Sequence, residues 1–183
     1  MNCVIVIVAI LMVCLVYFVV VYNKLIKLNN SVSESFATMD VYLKKRWDLI
    51  PNLVEIVKGY AKHEKETFEK IAKLRSENYE SLSADDKIKT NEQLNRDVVR
   101  LMALAEAYPE LKSNESFLQL SGNLTLVEDE IAQSRKYYNA VVRDYNNKVE
   151  MIPSNIVAKV LGYKSKLMFA ANVEERENVK VKL

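Results

Sequence analysis

The sequence is poor in the residue types that sheets and many enzymes need. Its 183 residues include three glycines, three prolines and one histidine. So few turn-forming residues favour long helices with short connections over a strand-and-turn protein. The three glycines stand apart from one another, so the chain has neither a phosphate-binding loop nor a dinucleotide-binding fingerprint.

With a single histidine, His63, the chain has few ways to build a nucleophilic catalytic site or a zinc site. His63 and Glu64 begin like a zinc-protease helix, but Thr67 occupies the place of the second histidine. The two cysteines, Cys3 and Cys14, both lie in the apolar N-terminal run. We therefore expect neither of them to form a catalytic Cys-His pair with His63.

The acidic run 128–130 is the remaining candidate for a metal site. Helical bundles that bind two metals place Glu-x-x-His pairs toward the core, whereas Val127 and Ile131 are the inward positions here. We expect these carboxylates to be solvated. The sequence therefore predicts no catalytic residue, no metal ligand and no cofactor, and a protein that is not an enzyme.

An excess of one charge is also lacking. The chain has 26 basic and 24 acidic residues, and its longest basic run is 44–46. A nucleic-acid-binding protein usually shows a basic face or a longer basic run. We therefore expect no nucleic-acid partner.

Charge is absent altogether from Val4 to Tyr22. About twenty apolar residues in a helix match the hydrocarbon core of a bilayer, which is about 30 Å thick. A cleaved signal peptide would need a basic leading region and small residues at a cleavage site, and neither is present. We predict a transmembrane anchor over 1–23 that contacts membrane lipid through 4–22, with Tyr22 at the membrane interface.

The cations nearest this span lie on its C-terminal side, at Lys24 and Lys27. Basic residues favour the cytoplasmic side of a span. We therefore expect a single-pass membrane protein with the N-terminus outside and the helical domain in the cytoplasm.

Apolar residues after the span recur at steps of three and four, which is typical of amphipathic helices. Four such stripes end near Ile50, Leu74, Tyr108 and Ile152. No stripe can be buried alone, so the fold class is all-α: an N-terminal transmembrane helix followed by an antiparallel four-helix bundle. We assign the bundle to 24–162 and a C-terminal tail to 163–183.

The stretch KKRWDLIPNLVE, at 44–55, predicts a corner between the first two bundle helices. Asp48 is a good N-cap, and Pro51 would fall in the first turn of the next helix. We expect a helix boundary between Trp47 and Asn52. The alternative interpretation is a partner-docking tip that uses Arg46 and Trp47, because Arg and Trp are favoured interface anchors.

Tyrosine and asparagine are concentrated late in the fourth stripe. Two adjacent pairs, Tyr138 with Asn139 and Tyr145 with Asn146, recur there. One interpretation is that the rings pack while the polar heads satisfy one another. The other is a polar seam that docks a second copy or a partner helix.

The segment 152–169 combines apolar residues with Lys159, Lys164 and Lys166. Apolar residues flanked by lysines suit a membrane interface. One interpretation is that the end of the fourth helix reaches the headgroup region there or bends beside it. The alternative is that the segment caps the open end of the bundle.

Four long segments resemble the LemA proteins of bacterial membranes. They read MDVYLKKRWDLIPNLVEIVKGYAKHEKETFEKI, AEAYPELKSNESFLQL, YYNAVVRDYNNKV and MIPSNIVAKVLGY. The resemblance implies one N-terminal span followed by an antiparallel helical bundle. It also implies an association with membrane proteolysis or envelope organisation, and it supplies no catalytic residues.

The resulting hypothesis is a non-catalytic, membrane-anchored interaction or scaffold protein. Its expected partners are proteins of the bacterial envelope, membrane proteases among them, and self-association is a further option. A small-ligand sensor at the membrane and an unrecognised hydrolase are the alternatives.

Overall fold

The computed structural model describes residues 2–61, 65–74 and 78–169, and in these ranges every regular element is a helix. The elements are α1 (Asn2–Tyr60), α2 (Lys65–Leu74), a 3₁₀ turn (Tyr79–Ser81), α3 (Ala84–Ala107), α4 (Pro109–Lys112), α5 (Glu115–Glu150) and α6 (Ser154–Val160). The all-α prediction is confirmed. His63, Glu64 and 170–183 lie outside the described residues.

Helix α1 begins with a long exposed apolar segment. Its large apolar side chains from Val4 to Val20 are exposed, whereas Val21 and Leu25 are buried. By length and composition this is the one helix among the described residues that could cross a membrane. The exposed stretch coincides with most of the predicted span.

The predicted boundary between Trp47 and Asn52 is wrong, because α1 continues through Pro51 to Tyr60. Pro51 cannot donate a hydrogen bond to the carbonyl of Trp47, which disfavours a helix interior. The buried stripe nevertheless continues in helical phase across the proline, from Trp47 and Ile50 to Leu53 and Val57. Keeping that stripe in one packed face offsets the local cost of the proline.

Asp48 is not an N-cap either. The Lys44 ammonium lies 2.6 Å from its carboxylate, one helical turn earlier. Such pairs support a continuing helix. The real break falls at Ala61, the first non-helical residue after α1, so α2 is much shorter than the second stripe predicted.

The described chain divides into two compact units. The central unit is 33–137 and contains most of the predicted core. Its order follows from contacts to α1: Asp40 meets Lys87 and Arg46 meets Asn91, so α1 and α3 run in the same direction. Arg46 also meets Glu128, and Tyr60 meets Asn114, so α5 runs the opposite way. These directions are those of the predicted antiparallel bundle.

The anchor unit comprises the described residues of 1–32 and 138–169. Its α5 face buries Val142, Tyr145 and Val149. The steps of three and four in the fourth stripe predict Val141 and Lys148 on this face, so the buried stripe is displaced by one residue at those two positions. Ile152, the last member of the predicted stripe, is 82% exposed. It lies beyond the end of α5 at Glu150, in a turn that no longer follows the helical period.

Candidate functional site

Arg46 forms a buried polar cluster in the central unit. Its guanidinium Nη1 lies 2.8 and 2.9 Å from the two carboxylate oxygens of Glu128. Its Nη2 donates to the Asn91 carbonyl at 2.9 Å and also to the Asn91 side-chain oxygen. The Arg46 side chain is completely buried, while that of Glu128 is 31% exposed. The planar guanidinium thus joins α1, α3 and α5 at one point.

A second polar cluster lies around Tyr79. Its hydroxyl donates to Asp40 at 2.5 Å, and the Lys87 ammonium lies 2.7 Å from the other oxygen of that carboxylate. Burial raises the pKa of Tyr79 well above its ordinary value, and the hydrogen bond to Asp40 raises it further. The ring of Trp47 packs on Tyr79 with ring centres 5.3 Å apart.

The predicted docking tip at Arg46 and Trp47 therefore lacks exposed side chains. Arg46 is 0% and Trp47 5% exposed. Both side chains make their contacts inside the central unit. Arg46 binds residues of α3 and α5, and Trp47 packs on Tyr79 of the 3₁₀ turn. The expectation that 128–130 is solvated is likewise wrong for Glu128, which pairs with Arg46, although Asp129 and Glu130 are exposed.

In the anchor unit, two tyrosines and two asparagines of α5 hold an extended segment of the chain's own C-terminal part. We call Tyr138, Asn139, Tyr145 and Asn146 the Tyr-Asn ladder, and 164–169 the strap. Each asparagine makes a reciprocal pair of hydrogen bonds with one strap residue. Asn146 accepts from the Lys166 N–H at 2.8 Å and donates to its carbonyl at 2.9 Å.

The second asparagine repeats this arrangement. Asn139 accepts from the Phe169 N–H at 2.9 Å and donates to its carbonyl at 3.0 Å. Each tyrosine hydroxyl donates to the carbonyl two residues before the strap residue that its neighbouring asparagine binds, Tyr145 to Lys164 at 3.0 Å and Tyr138 to Leu167 at 3.1 Å. All four ladder side chains thus bind backbone groups of the strap.

The ladder can bind the strap twice because the repeat length of its pairs along α5 matches the spacing of the strap residues that they bind. Its pairs are seven residues apart on α5, which is about 10 Å along a helix. The strap residues they bind are three apart, which is also about 10 Å in extended chain. The ring of Phe169 packs edge-on against Tyr138 at 5.8 Å, and burial raises the pKa of Tyr145.

The sequence singled out all four ladder residues without identifying what they bind. Neither earlier interpretation included the strap, which falls within the predicted tail 163–183. The signal that could have found it is the repeated Tyr-Asn pair at heptad spacing. Docking of a second copy or a partner at this seam stays a prediction, and in this structure the strap occupies the place.

The predicted membrane-interface residues all lie in the anchor unit. Tyr22, Lys159 and Lys164 are exposed, and the Lys166 ammonium lies 5.2 Å from the centre of the Tyr145 ring. Their contact with a membrane stays a prediction. Among the residues that the structure describes, no group of three or more His, Cys, Asp or Glu side chains could hold a metal ion.

In the part of the chain that the structure describes, fold and sites together define an all-helical protein with one candidate membrane span and with polar side chains that bind the chain's own groups. The sequence pattern of the LemA family matches residues 35–183. The chain therefore belongs to the LemA family.

Three individual relatives share less than a third of their aligned residues with this chain. Protein LemA of Metamycoplasma hominis is 28% identical over 167 residues, which cover 89% of this chain and 76% of the relative. Magnetosome protein MamQ 2 of Paramagnetospirillum magneticum is 24% identical over 169 residues, covering 78% of this chain and 62% of the relative. MamQ of Magnetospirillum gryphiswaldense gives the same identity and coverage. None of these names specifies a reaction.

Proposed function

We propose that the protein is a non-catalytic interaction module of the bacterial cell membrane that scaffolds envelope proteins or further copies of itself. The observation that carries this proposal is the continuity of α1. One helix of 59 residues supplies first the exposed apolar segment and then the central face of the packed core. The same helix thus contains both a candidate membrane anchor and residues of a packed core.

The chemistry of the described residues supports binding rather than catalysis. In each of the two polar clusters, a cation and a carboxylate of the same cluster form an ion pair. The ladder binds the chain's own backbone. The MamQ relatives are named as magnetosome proteins, and their names specify no reaction. Membrane proteases are among the partners that the proposal includes.

Site-specific photocrosslinking in native membranes tests the scaffold role. A photoreactive residue would replace the exposed Leu126 of the central unit or the exposed Tyr137 beside the ladder. We expect discrete adducts that form at native abundance, and mass spectrometry would identify each as another copy or a specific envelope protein. The buried Leu124 provides the matched position that should form no intermolecular adduct. Recovery of free monomer alone from both exposed positions would contradict the proposal.

We further propose that the helical domain lies on the cytoplasmic side, because Lys24 and Lys27 follow the span. The test places a cysteine at Asn178 after replacement of Cys3 and Cys14. In intact cells this cysteine should resist a membrane-impermeant thiol reagent and react after lysis. Ready labelling in intact cells would reverse the orientation.

A further inference from the structure

The anchor unit contains an open cleft of about 360 Å³ beside the exposed apolar part of α1. Three short segments line it. Helix α1 contributes Tyr17 and Lys24, the last turns of α5 contribute Asp144, Asn147 and Lys148, and the turn before α6 contributes Ile152. None of these side chains belongs to the ladder or to the buried clusters.

The α1 residues that line the cleft change from uncharged to charged along the helix. Tyr17 lies within the uncharged run that ends at Tyr22, and Lys24 is the first charged residue after that run. Seven residues separate Tyr17 from Lys24, which is about 10 Å along a helix. Tyr17 is five residues before Tyr22, the predicted interface residue, and Lys24 is two residues after it. The cleft therefore spans the predicted boundary between the acyl chains and the headgroups of a bilayer.

The polar end of the cleft has the composition of a site for one phosphodiester. Lys24 and Lys148 line the cleft together with Asn147 and Asp144. Lysine binds phosphate as a point charge, and an amide adds a hydrogen-bond donor. The single carboxylate leaves a net charge of one positive unit among these groups, which suits a singly charged phosphodiester better than a polyphosphate.

Two apolar residues that line the cleft are exposed, and further exposed apolar residues follow them in the sequence. Met151 is 62% and Ile152 82% exposed, and both line the cleft. Ile156 and Val160 follow Ile152 at steps of four and are 63% and 73% exposed. Exposure of such side chains to water costs free energy in proportion to their area, whereas contact with lipid acyl chains does not.

We propose that this cleft binds the headgroup of a membrane glycerophospholipid, with its phosphate between Lys24 and Lys148 and its acyl chains against the apolar turn. The site goes beyond the scaffold role, since a scaffold needs only an anchor and a protein-binding surface. It gives the protein a specific lipid ligand at the point where the chain leaves the membrane.

Native mass spectrometry of the full chain in detergent tests the site, with palmitoyl-oleoyl phosphatidylglycerol as the probe. We expect one lipid to stay bound to the native chain. Alanine at both Lys24 and Lys148 should weaken retention about tenfold or more, because charge-assisted contacts to the phosphate are lost. The arginine pair Lys24→Arg with Lys148→Arg should retain the lipid.

The matched control is the double variant Lys27→Ala with Lys136→Ala. It removes two exposed cations from the same helices, neither of which lines the cleft. Equal loss of lipid in this control would show general charge attraction and overturn the site. Each lysine of the cleft is also replaced singly, and thermal unfolding of every variant is recorded, so misfolding of one variant leaves the other comparisons decisive.

Competition distinguishes a lipid from a free phosphate compound. Inorganic phosphate and glycerol 3-phosphate at millimolar concentration should not displace the probe, because they lack the acyl chains. Displacement by either compound would overturn the lipid assignment. The absence of any retained lipid on the native chain would overturn it as well, and would leave the scaffold proposal intact because that rests on protein adducts.

Discussion

Arg46 and Glu128 are 82 residues apart in sequence and form a salt bridge of 2.8 Å in the central unit. The arginine is fully buried, and its guanidinium also binds Asn91. A buried cation is costly unless it is paired and hydrogen-bonded. The pair therefore links α1 to α5 at a defined register, because a shift of either helix would leave Arg46 without its counter-charge.

Replacement of Glu128 by glutamine tests this link. The variant keeps the side-chain shape and removes the charge opposite a buried arginine, so we expect a loss of about 1–3 kcal/mol in the free energy of unfolding. The lower part of that range is expected because the Glu128 side chain is 31% exposed. The measurement is urea unfolding of the full chain in detergent, followed by circular dichroism.

The exposed neighbour Glu130 provides the matched control. Glu130→Gln should change the free energy of unfolding by less than about 0.5 kcal/mol. A double-mutant cycle that combines Glu128→Gln with Arg46→Met should show strong coupling between the two positions. Additive losses would mean that the two side chains do not stabilise the fold through one another.

The second prediction concerns Pro51, which lies inside α1. Alanine would restore the hydrogen bond from this position to the Trp47 carbonyl and remove the clash with the proline ring. We expect Pro51→Ala to raise the free energy of unfolding by about 1–3 kcal/mol. The adjacent Asn52→Ala, at an exposed position, should raise it by no more than about 0.7 kcal/mol. If Pro51→Ala destabilises the protein, the helix does not pass through this position as described.

The apolar stripes were the part of the fold that sequence predicted well. Core positions such as Met39, Leu101 and Ile131 are buried because their helical spacing puts them on one face. The helix boundary at Pro51 could not be predicted, because local proline preference competes with packing of a stripe that continues on both sides. Local signals carry no information about that packing.

The polar clusters were hidden for a different reason. Arg46 stands in a run of cations that looks solvated. The groups that offset its burial, Asn91 and Glu128, lie far along the chain. The strap was hidden because the ladder binds backbone N–H and C=O groups, which every residue has. The asparagine and tyrosine side chains of the ladder were visible in sequence, whereas their partner was not.

The third prediction uses the raised pKa of Tyr79. Tyr79→Phe removes the hydrogen bond to Asp40, so at neutral pH we expect a loss of about 1–2 kcal/mol in the free energy of unfolding. A tyrosine whose folded pKa exceeds its unfolded value of about 10 stabilises the fold below that pH. This contribution is lost as the pH rises above about 10 toward the folded pKa.

An alkaline titration of the phenolate absorbance band measures this behaviour. The native chain and Tyr79→Phe should form equal numbers of phenolates through the ordinary tyrosine range, because Tyr79 stays protonated while the protein is folded. One phenolate fewer in Tyr79→Phe within the ordinary range would contradict the predicted pKa direction.

The last prediction concerns the ladder and the strap. Asn146 and Asn139 each bind one strap residue through a pair of backbone hydrogen bonds, so each asparagine should protect a different amide from hydrogen exchange. We expect Asn146→Ala to accelerate exchange at the Lys166 amide most, and Asn139→Ala to do so at the Phe169 amide. Trypsin should also cut more readily after Lys166 in both variants. The adjacent Asn147 is exposed and outside the ladder, so Asn147→Ala should change neither readout. If exchange at Lys166 and Phe169 is as fast in the native chain as in the variants, the strap is not held by the ladder in solution, and the seam is free to bind another chain.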